Sequence, residues 1–212
     1  MRRFKDMEEK DAVVLAAGDY PSHDLPRSAL ERYREHIICC DGAADALLAA
    51  GYCPERVIGD GDSLSAASRA RLSGRWICLA EQENNDLTKA VRYCASQGYR
   101  RLLLAGATGK REDHTLGNIS LLTDYMDLAE VEMWTDYGIF TPAEGDVTFE
   151  SFPGQQISVF CMEPVPLTLR GLRWPLENRT LTRWWQASLN EALSDRFEVH
   201  TAGKVVVFRK YG

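Results

Sequence analysis

The sequence predicts an N-terminal α/β domain with a mostly parallel sheet, followed by a smaller all-β domain of the sandwich type. Up to about residue 134, short apolar runs alternate with helical stretches, a pattern typical of a parallel sheet covered on both faces. Beyond that point, strand-like runs are separated by prolines and glycines without a long helical pattern, which favours an all-β domain. The 212 residues allow two small domains, and we place them at residues 1–134 and 135–212.

The elements of the α/β domain follow from short apolar runs and from helical spacing. The predicted strands are, in order, Ala12–Ala16, His36–Cys40, Val57–Ile58, Trp76–Leu79, Arg101–Ala105 and Val131–Trp134. The predicted helices between them are Ala43–Ala50, Asp86–Gln97 and His114–Met126. In the second of these, apolar residues recur at the spacing of one helical face, and Gly98 follows as a typical helix end.

The C-terminal domain is predicted from strand-like runs between turn residues. The runs are Ile157–Cys161, Phe197–His200 and Val205–Arg209. The turn signals are Pro142, Gly145-Asp146, Pro153-Gly154, Pro164, Pro166, Gly171 and Gly203. Their close spacing indicates short strands in a sandwich or partial barrel.

Composition and charge exclude several classes of partner. The net charge is -6, whereas a surface for nucleic acid needs clustered Lys and Arg. No apolar run approaches the roughly 20 residues of a membrane helix, and the charged N-terminal segment MRRFKDMEEKD lacks the apolar stretch of a signal peptide. The six cysteines form no CxxC pair, so we expect reduced thiols in a cytoplasmic protein, with Cys39, Cys40 and Cys78 in the core.

Four aspartates follow successive predicted strands at the point where each strand ends. They are Asp41, Asp60 and Asp62 in the segment IGDGDS, and Asp86. Ligands of open parallel sheets bind outside the carboxyl ends of the strands, so we expect these carboxylates to converge. Carboxylates repel one another unless a cation lies among them, and Mg²⁺ prefers oxygen ligands from carboxylates and phosphates. All four are therefore candidate magnesium ligands beside a phosphate.

Each aspartate alone also has an ordinary structural explanation. Asp and Gly are common turn residues, so the segment around Asp60 and Asp62 could be a simple turn. Asp86 could be a helix N-cap. The four together, at successive strand ends, favour the metal–phosphate site.

The segment from Gly106 to His114 predicts a phosphate-binding loop. It follows a strand and leads into a helix, and the N-terminus of a helix attracts anions. Lys110 and Arg111 can neutralise phosphate oxygens, and Arg111 could do so with two hydrogen bonds.

The start of the following helix adds polar residues whose roles stay open. Asn118 falls on roughly the same helical face as His114. His114 could be a general base or a hydrogen-bonded structural residue. The alternative for the whole segment is a solvated charged loop with Asp113 as the N-cap.

The ordered combination of these segments resembles the thiamine pyrophosphokinase family, also called thiamine diphosphokinases. The matching segments are LAAGDYP, Asp41-Gly-Ala-Ala, the stretch from Pro54 to Ser63, Asp86-Leu-Thr-Lys-Ala90, and Gly109-Lys-Arg-Glu-Asp-His114 with Asn118. The C-terminal half is similar more loosely, in Gly171–Leu176 and in Ser188-Leu-Asn190. The departures are Gly61 in place of a bulky residue, Lys110 in place of a frequent glycine, and Leu189 in place of a serine.

The resemblance implies transfer of pyrophosphate from ATP to the hydroxyethyl group of thiamine, giving thiamine diphosphate and AMP. It also implies a homodimer with active sites at the subunit interface. The implied catalytic residues are Asp62, Asp86 and Arg111, with Asp62 or Asp86 as the base. The implied residues for ATP and its phosphates are Gly18, Asp41, Gly42, Thr108, Lys110, Arg111, Asp113, His114 and Asn118.

A cationic, aromatic acceptor such as thiamine would suit an aromatic face with polar neighbours. Trp184, Trp185, Ser188 and Asn190 offer that chemistry in the C-terminal domain. The alternative is that both tryptophans belong to the core of the β domain or to a dimer contact.

Two other functions stay open. One is a magnesium-dependent phosphotransferase that uses ATP and another small alcohol or a pterin-like acceptor, an alternative that Leu189 keeps open. The other is a non-catalytic module that binds a nucleotide or thiamine. A dinucleotide-binding oxidoreductase fits poorly, because the segment AAGDYPS after the first strand lacks the GxGxxG pattern.

Overall fold

The computed structural model describes residues 11–212, which form two compact units, residues 11–136 and residues 137–212. We call them the N-terminal unit and the C-terminal unit. Residues 1–10, where the sequence predicts a charged segment without a signal peptide, lie outside the described residues. Within the described part of the chain, no helix is long and apolar enough to span a membrane.

The N-terminal unit is a parallel sheet with helices in its connections. Its strands are β1 (Asp11–Leu15), β2 (Ile37–Cys40), β3 (Arg56–Gly59), β4 (Trp76–Cys78), β5 (Arg101–Ala105) and β6 (Glu130–Trp134). Its helices are α1 (Asp24–Arg32), α2 (Ala44–Ala49), α3 (Ala66–Arg71), α4 (Asp86–Ser96), α5 (Glu112–Ser120) and α6 (Leu122–Tyr125), with a 3-10 turn at Asp41–Ala43 before α2. The strand order is β4-β3-β2-β1-β5-β6, and every neighbouring pair is parallel.

Burial explains why the central strands are continuous apolar runs. All residues of β1, β2 and β5 are buried, as expected for a parallel sheet covered on both faces. From β1 the chain continues to β2 on one side, whereas β5 lies on its other side. The order therefore reverses between β1 and β5, which is where open sheets of this kind bind ligands.

Several helix predictions need correction. The helices α1 and α3 were not predicted, because short polar stretches with few apolar positions hide their periodicity. The third predicted helix begins two residues earlier, at Glu112, and is divided at Leu121 into α5 and α6. The first-turn residue Asp86 is not an N-cap, since the Asn85 side chain accepts the hydrogen bond from the Thr88 N–H.

One alternative and one further expectation are wrong. The N-cap position of α5 is Arg111, so Asp113 lies in the first turn rather than at the cap. Cys39 and Cys40 are buried as expected, but Cys78 is exposed, because β4 is the edge strand of the sheet.

The C-terminal unit is built from antiparallel strands, which confirms the predicted all-β class. They are β7 (Gly138–Glu150), β8 (Gln156–Cys161), β9 (Pro166–Arg170), β10 (Leu176–Thr180), β11 (Ala187–Glu191) and β12 (Arg196–Lys210). The strand β12 pairs with β7 along its length, with β9 through its first half and with β8 through its second half. The β9–β10 and β8–β11 pairs extend the two halves, and buried residues of both pack into one core. This arrangement is sandwich-like, as predicted.

The long strands correct the prediction of short ones. Phe197–His200 and Val205–Arg209 are two halves of β12, and Pro142 and Gly145-Asp146 lie inside β7 rather than in turns. The register of the two strands shifts between Thr201 and Val205, and bulges of this kind bend a strand without ending it. Turn residues in the sequence therefore mark a bend here.

Candidate functional site

Two glycine-containing loops meet at the carboxyl ends of β1 and β5. The Gly18 N–H donates to the Gly106 carbonyl oxygen at 2.7 Å, and the Asp19 N–H donates to the Thr108 carbonyl oxygen at 2.8 Å. A Cβ atom on Gly18 would lie 3.0 Å from the carbonyl carbon of Thr108 and closer still to two carbonyl oxygens. Only glycine allows this approach of the two backbones.

A cavity of about 410 Å³ lies at this edge of the sheet. The predicted site residues that line it are Gly18, Asp41, Asp60, Asp62, Asp86, Lys110, Arg111, His114 and Asn118. Of the predicted residues in this unit, Gly42, Thr108 and Asp113 do not line it. The structure also brings in Ser63, Gln82, Asn84, Asn85 and Lys89, which were not predicted.

Three of the four aspartates form a cluster that could hold a metal ion. Oxygen atoms of Asp41, Asp60 and Asp62 lie within 4.8 Å of one another. Asp86 lines the same cavity, but its carboxylate is hydrogen-bonded to Lys89 Nζ at 3.1 Å. Clustered carboxylate oxygens are the donors that Mg²⁺ prefers, so the residues present fit that ion.

Asp41 is the buried member of the cluster. Its Oδ2 accepts a hydrogen bond from the Gly61 N–H at 2.8 Å. Burial raises the pKa of this carboxyl, and the charge of Asp86 raises it further, while backbone hydrogen bonds oppose both effects. At Gly59, a Cβ atom would lie 2.8 Å from Asp41 Cγ, so glycine leaves room for the buried carboxylate.

Asp60 and Asp62 belong to a tight loop after β3. The Asp62 N–H donates to Asp60 Oδ1 at 3.1 Å, and Gln82 Nε2 donates to Asp60 Oδ2 at 2.9 Å. The hydrogen bond from Gln82 is the largest cause of the lowered pKa of Asp60. Ser63 Oγ donates to Asp62 Oδ1 at 2.8 Å. Gln82 follows β4 and gave no signal in the sequence pattern.

Lys89 is a buried cation beside this acidic cluster. Its side chain is 4% exposed. Burial acts to lower the pKa of Lys89, but the hydrogen bond and charge of Asp86, together with the charges of Glu81 and Asp60, raise it above its ordinary value. Lys89 follows Asp86 by three residues on α4, and this spacing brings two side chains together on a helix. The spacing could have identified the Asp86–Lys89 pair from the sequence.

The cationic loop residues have local partners. Lys110 has a φ of 56° and donates from Nζ to the Ala17 carbonyl oxygen at 2.8 Å. Arg111 binds the Asp113 carboxylate through Nε at 3.1 Å and Nη2 at 2.5 Å. This pair raises the pKa of Arg111 and lowers that of Asp113. Lys110 and Arg111 are exposed, so both cationic side chains are accessible to a phosphate.

Asn118 joins the glycine loop to the start of α4. Its Nδ2 donates to the Ala107 carbonyl oxygen at 2.8 Å, and its Oδ1 accepts from Asn85 Nδ2 at 3.1 Å. Because Asn118 is buried, both bonds lie where an unpaired polar group is costly. His114 is exposed at the cavity.

The thiamine-binding candidates lie in the C-terminal unit. Trp184 and Trp185 are 48% and 58% exposed, so neither belongs to the core of this unit. Trp184 packs against Phe160, with ring centroids 5.5 Å apart. Ser188 donates its N–H to the Trp185 carbonyl oxygen at 3.0 Å.

Asn190 and Leu189 differ sharply in their surroundings. Asn190 is buried, accepts from the Trp174 N–H at 3.1 Å and donates to the Trp174 carbonyl oxygen at 2.7 Å. Leu189 is 83% exposed and has a φ of 58°. The Asn190 side chain therefore fixes the local backbone, and the Leu189 side chain projects into solvent.

Comparisons with known proteins agree in both halves of the chain. The catalytic-domain model of thiamin pyrophosphokinase matches residues 29–134, and the substrate-binding-domain model matches residues 138–208. The thiamine pyrophosphokinase of Bacillus subtilis (strain 168) is 28% identical over 151 residues, which cover 67% of this chain and 71% of the relative.

Solved structures support the same relationship. The crystal structure of the Bacillus subtilis thiamine pyrophosphokinase has a TM-score of 0.79 at 25% identity, covering 95% of this chain and 99% of that one. The yeast thiamin pyrophosphokinase has a TM-score of 0.80 at 18% identity, covering 96% of this chain and 87% of that one, and shows the shared fold. Because the catalytic-domain model alone spans residues 29–134, half of the sequence, the chain belongs to the thiamin pyrophosphokinase family.

Proposed function

We propose that this protein is a thiamine pyrophosphokinase, which transfers the pyrophosphoryl group of ATP to the hydroxyl group of thiamine and releases AMP. The observation that supports it most is the cavity at the sheet edge. There an acidic cluster (Asp41, Asp60 and Asp62) faces the same space as Lys110 and Arg111. The alternatives of another acceptor or of a non-catalytic binding module gain no support from the comparisons.

The acidic cluster would hold Mg²⁺, with Asp86 available in the same cavity, and the ion would supply positive charge to the phosphate oxygens. Lys110 and Arg111 bind the remaining phosphate charge. The backbones of the Gly18 and Gly106 loops approach the nucleotide at the strand ends. Asn118 keeps the second loop against α4.

The chemical step is an in-line displacement at the β-phosphorus. The thiamine hydroxyl oxygen forms a bond to this phosphorus, and the bond between the β-phosphorus and the α,β-bridging oxygen breaks. AMP leaves with the electron pair, and the hydroxyl proton passes to Asp62 or Asp86 as the base. The enzyme's contribution is mainly positioning and neutralisation of charge.

The second substrate is assigned to residues 135–212, and ATP to residues 1–134. Exposed Trp184 and Trp185 offer π faces for thiamine, which is cationic and aromatic, with Ser188 and Asn190 as polar neighbours. We place the active enzyme in a homodimer with sites at the subunit interface. All six cysteines are unpaired thiols, which supports a cytoplasmic location.

The decisive experiment is a product assay with ATP, Mg²⁺ and thiamine, followed by separation of the nucleotides. Thiamine-dependent AMP, with thiamine diphosphate in equal amount, is the expected result. A parallel reaction with a pterin alcohol in place of thiamine controls for acceptor choice. ADP as the sole product, or AMP formed only with the other acceptor, would overturn the proposal.

A further inference from the structure

We infer that Arg69 and Trp76 are positioning residues that hold the loop Asp60–Asp62 in the conformation in which its two carboxylates face one ion. The inference rests on the proposed function, because it takes the acidic cluster to be a metal site. Neither residue lines the cavity, so each would act through the backbone of the loop.

The backbone of Gly61 is held from two sides. Its φ of 85° lies in the left-handed region, where only glycine is free of strain. The Gly61 N–H donates to Asp41 Oδ2 at 2.8 Å, and the Gly61 carbonyl oxygen accepts a hydrogen bond from Arg69 Nη2. The two peptide groups that join Gly61 to Asp60 and Asp62 are therefore both anchored.

Trp76 fills the space that a side chain at Gly61 would take. A Cβ atom on Gly61 would lie 2.9 Å from Trp76 Cη2 and 3.2 Å from Arg69 Nη2. In this chain an indole ring from β4 packs there, so a ring from another strand supports the loop.

Arg69 and Trp76 support one another. The Arg69 guanidinium lies 4.9 Å from the centroid of the Trp76 ring, a cation–π arrangement. Trp76 Nε1 is buried and has no hydrogen-bond partner among residues 11–212. The ring is therefore held by packing and by Arg69, and a phenylalanine there would lose no hydrogen bond.

The helix that carries Arg69 is itself held by hydrogen bonds to a neighbouring helix. Arg69 lies in α3, whose N-cap is Ser65. Asp45 on α2 accepts from the Ser65 N–H at 3.1 Å, from Ser65 Oγ at 2.7 Å and from Ser68 Oγ. Without such anchors, mutual repulsion would drive Asp60 and Asp62 apart before a cation binds.

The first test compares Arg69→Gln with Arg71→Gln, an exposed arginine in the same helix. Binding of Mn²⁺ without nucleotide is measured by electron paramagnetic resonance, and circular dichroism confirms folding. Arg69→Gln should weaken Mn²⁺ binding by about tenfold, the loss typical when a partner of a metal ligand is removed. Arg71→Gln should bind as the wild type does.

Arg69→Lys keeps the charge but not the planar guanidinium, and it guards against a misfolded glutamine variant. We expect a smaller loss of Mn²⁺ affinity than in Arg69→Gln. Folded Arg69→Gln and Arg69→Lys variants with wild-type affinity would overturn the inference.

The second test uses Trp76 as a reporter. Added Mn²⁺ or Mg²⁺ should change the tryptophan fluorescence of the wild type and of Trp184→Phe, but not that of Trp76→Phe. A signal that persists in Trp76→Phe would contradict the placement of the ring against the metal loop.

The outcomes separate this inference from the proposed function. If the wild type forms no thiamine-dependent AMP but Arg69→Gln still loses Mn²⁺ affinity, only the proposed reaction is wrong. If the wild type is active and Arg69→Gln binds Mn²⁺ normally, only the inference is wrong. A wild type that binds no divalent cation would overturn both.

Discussion

At the scale of single residues, the aspartates of the cavity are not equivalent. Asp41 is buried and its pKa is raised, whereas Asp60 is half-buried and its pKa is lowered. Asp62 is exposed, and its carboxylate accepts from the adjacent Ser63 hydroxyl. Removal of the Asp62 charge should therefore affect a bound cation far more than the fold.

Asp62→Asn should reduce thiamine-dependent AMP formation by more than about 100-fold. This loss is larger than the one usually seen when a residue that only hydrogen-bonds to a metal ligand is replaced. The melting curve should be unchanged, because no core contact is lost. Asp195→Asn, an exposed aspartate in the C-terminal unit, is the matched control. Wild-type turnover by Asp62→Asn would remove this residue from the site.

Asn118 supports the fold as well as the cavity. Asn118→Ala removes its hydrogen bonds to Ala107 and Asn85, so we expect the free energy of unfolding to fall by about 1–3 kcal/mol. Urea denaturation measures the change. Ser120→Ala, at an exposed position of the same helix, should cost less than about 0.5 kcal/mol. Equal effects of the two substitutions would contradict this role.

At the scale of elements, the glycine loop after β5 combines strain with charge. Lys110 adopts a left-handed conformation, which costs a non-glycine residue roughly 1–2 kcal/mol. Its amine also reaches the loop after β1 through the Ala17 carbonyl oxygen. Two substitutions of Lys110 can therefore separate the effect of its backbone conformation from the effect of its amine.

Lys110→Gly and Lys110→Ala should both raise the KM for ATP, since each loses the amine that we assign to phosphate. The glycine variant should be more stable than the alanine variant by about 1 kcal/mol, because glycine tolerates the positive φ. Steady-state kinetics and thermal melts measure the two effects. An unchanged KM for ATP in both variants would contradict the assignment of Lys110 to phosphate binding.

The pairing of β7 with β12 contains a histidine between two carboxylates. His200 lies between Asp146 at 2.9 Å and Glu198 at 3.1 Å, and its hydrogen bonds to Asp146 and then Glu198 raise the pKa of His200. Since the folded pKa exceeds the unfolded one, this stabilisation is complete below about pH 6.5 and is lost as the pH rises through the folded value.

His200→Gln should therefore lower the free energy of unfolding more at pH 6 than at pH 9. The difference should stay below about 1 kcal/mol, because exposed ion pairs contribute little. Urea midpoints at the two pH values measure it, and both lie above the range in which carboxylates titrate. A loss of equal size at both values would show that the protonated imidazole contributes nothing.

At the scale of the whole molecule, large apolar side chains are exposed in the C-terminal unit between residues 174 and 193. They are Trp174, Trp184, Trp185, Leu189 and Leu193. Exposed apolar groups of this size are typical of binding surfaces. We therefore propose that this part of the chain forms both the dimer interface and the acceptor site.

Leu193→Asp should convert a dimer into a monomer, because it places a charge in the proposed interface. Mass photometry gives the oligomeric state, and the product assay shows whether monomers retain activity. Leu128→Asp, which alters an exposed leucine of the N-terminal unit, should remain dimeric. A wild-type monomer at micromolar concentration would rule out the proposed assembly.

How much of the candidate site could be read from the sequence depends on the range of its contacts. The positions of Asp41, Asp60 and Asp62 at strand ends were readable, because apolar runs locate buried strands and parallel strands end at one edge. Gln82, Arg69 and Trp76 were not, because each acts on the loop through a distant turn, helix or strand. The long β12 was missed because Gly203 signals a turn locally, whereas its pairing with β7 continues past it.

The sequence by itself determined the α/β and all-β halves, the positions of the main strands along the chain and the place where acidic and cationic residues would gather. These depend on local periodicity and on the general rule for parallel sheets. Only the tertiary structure decided that Asp41, Asp60 and Asp62 cluster without Asp86, and that a tryptophan from β4 packs against Gly61. Such choices depend on distances between elements far apart in the chain, which periodicity does not encode.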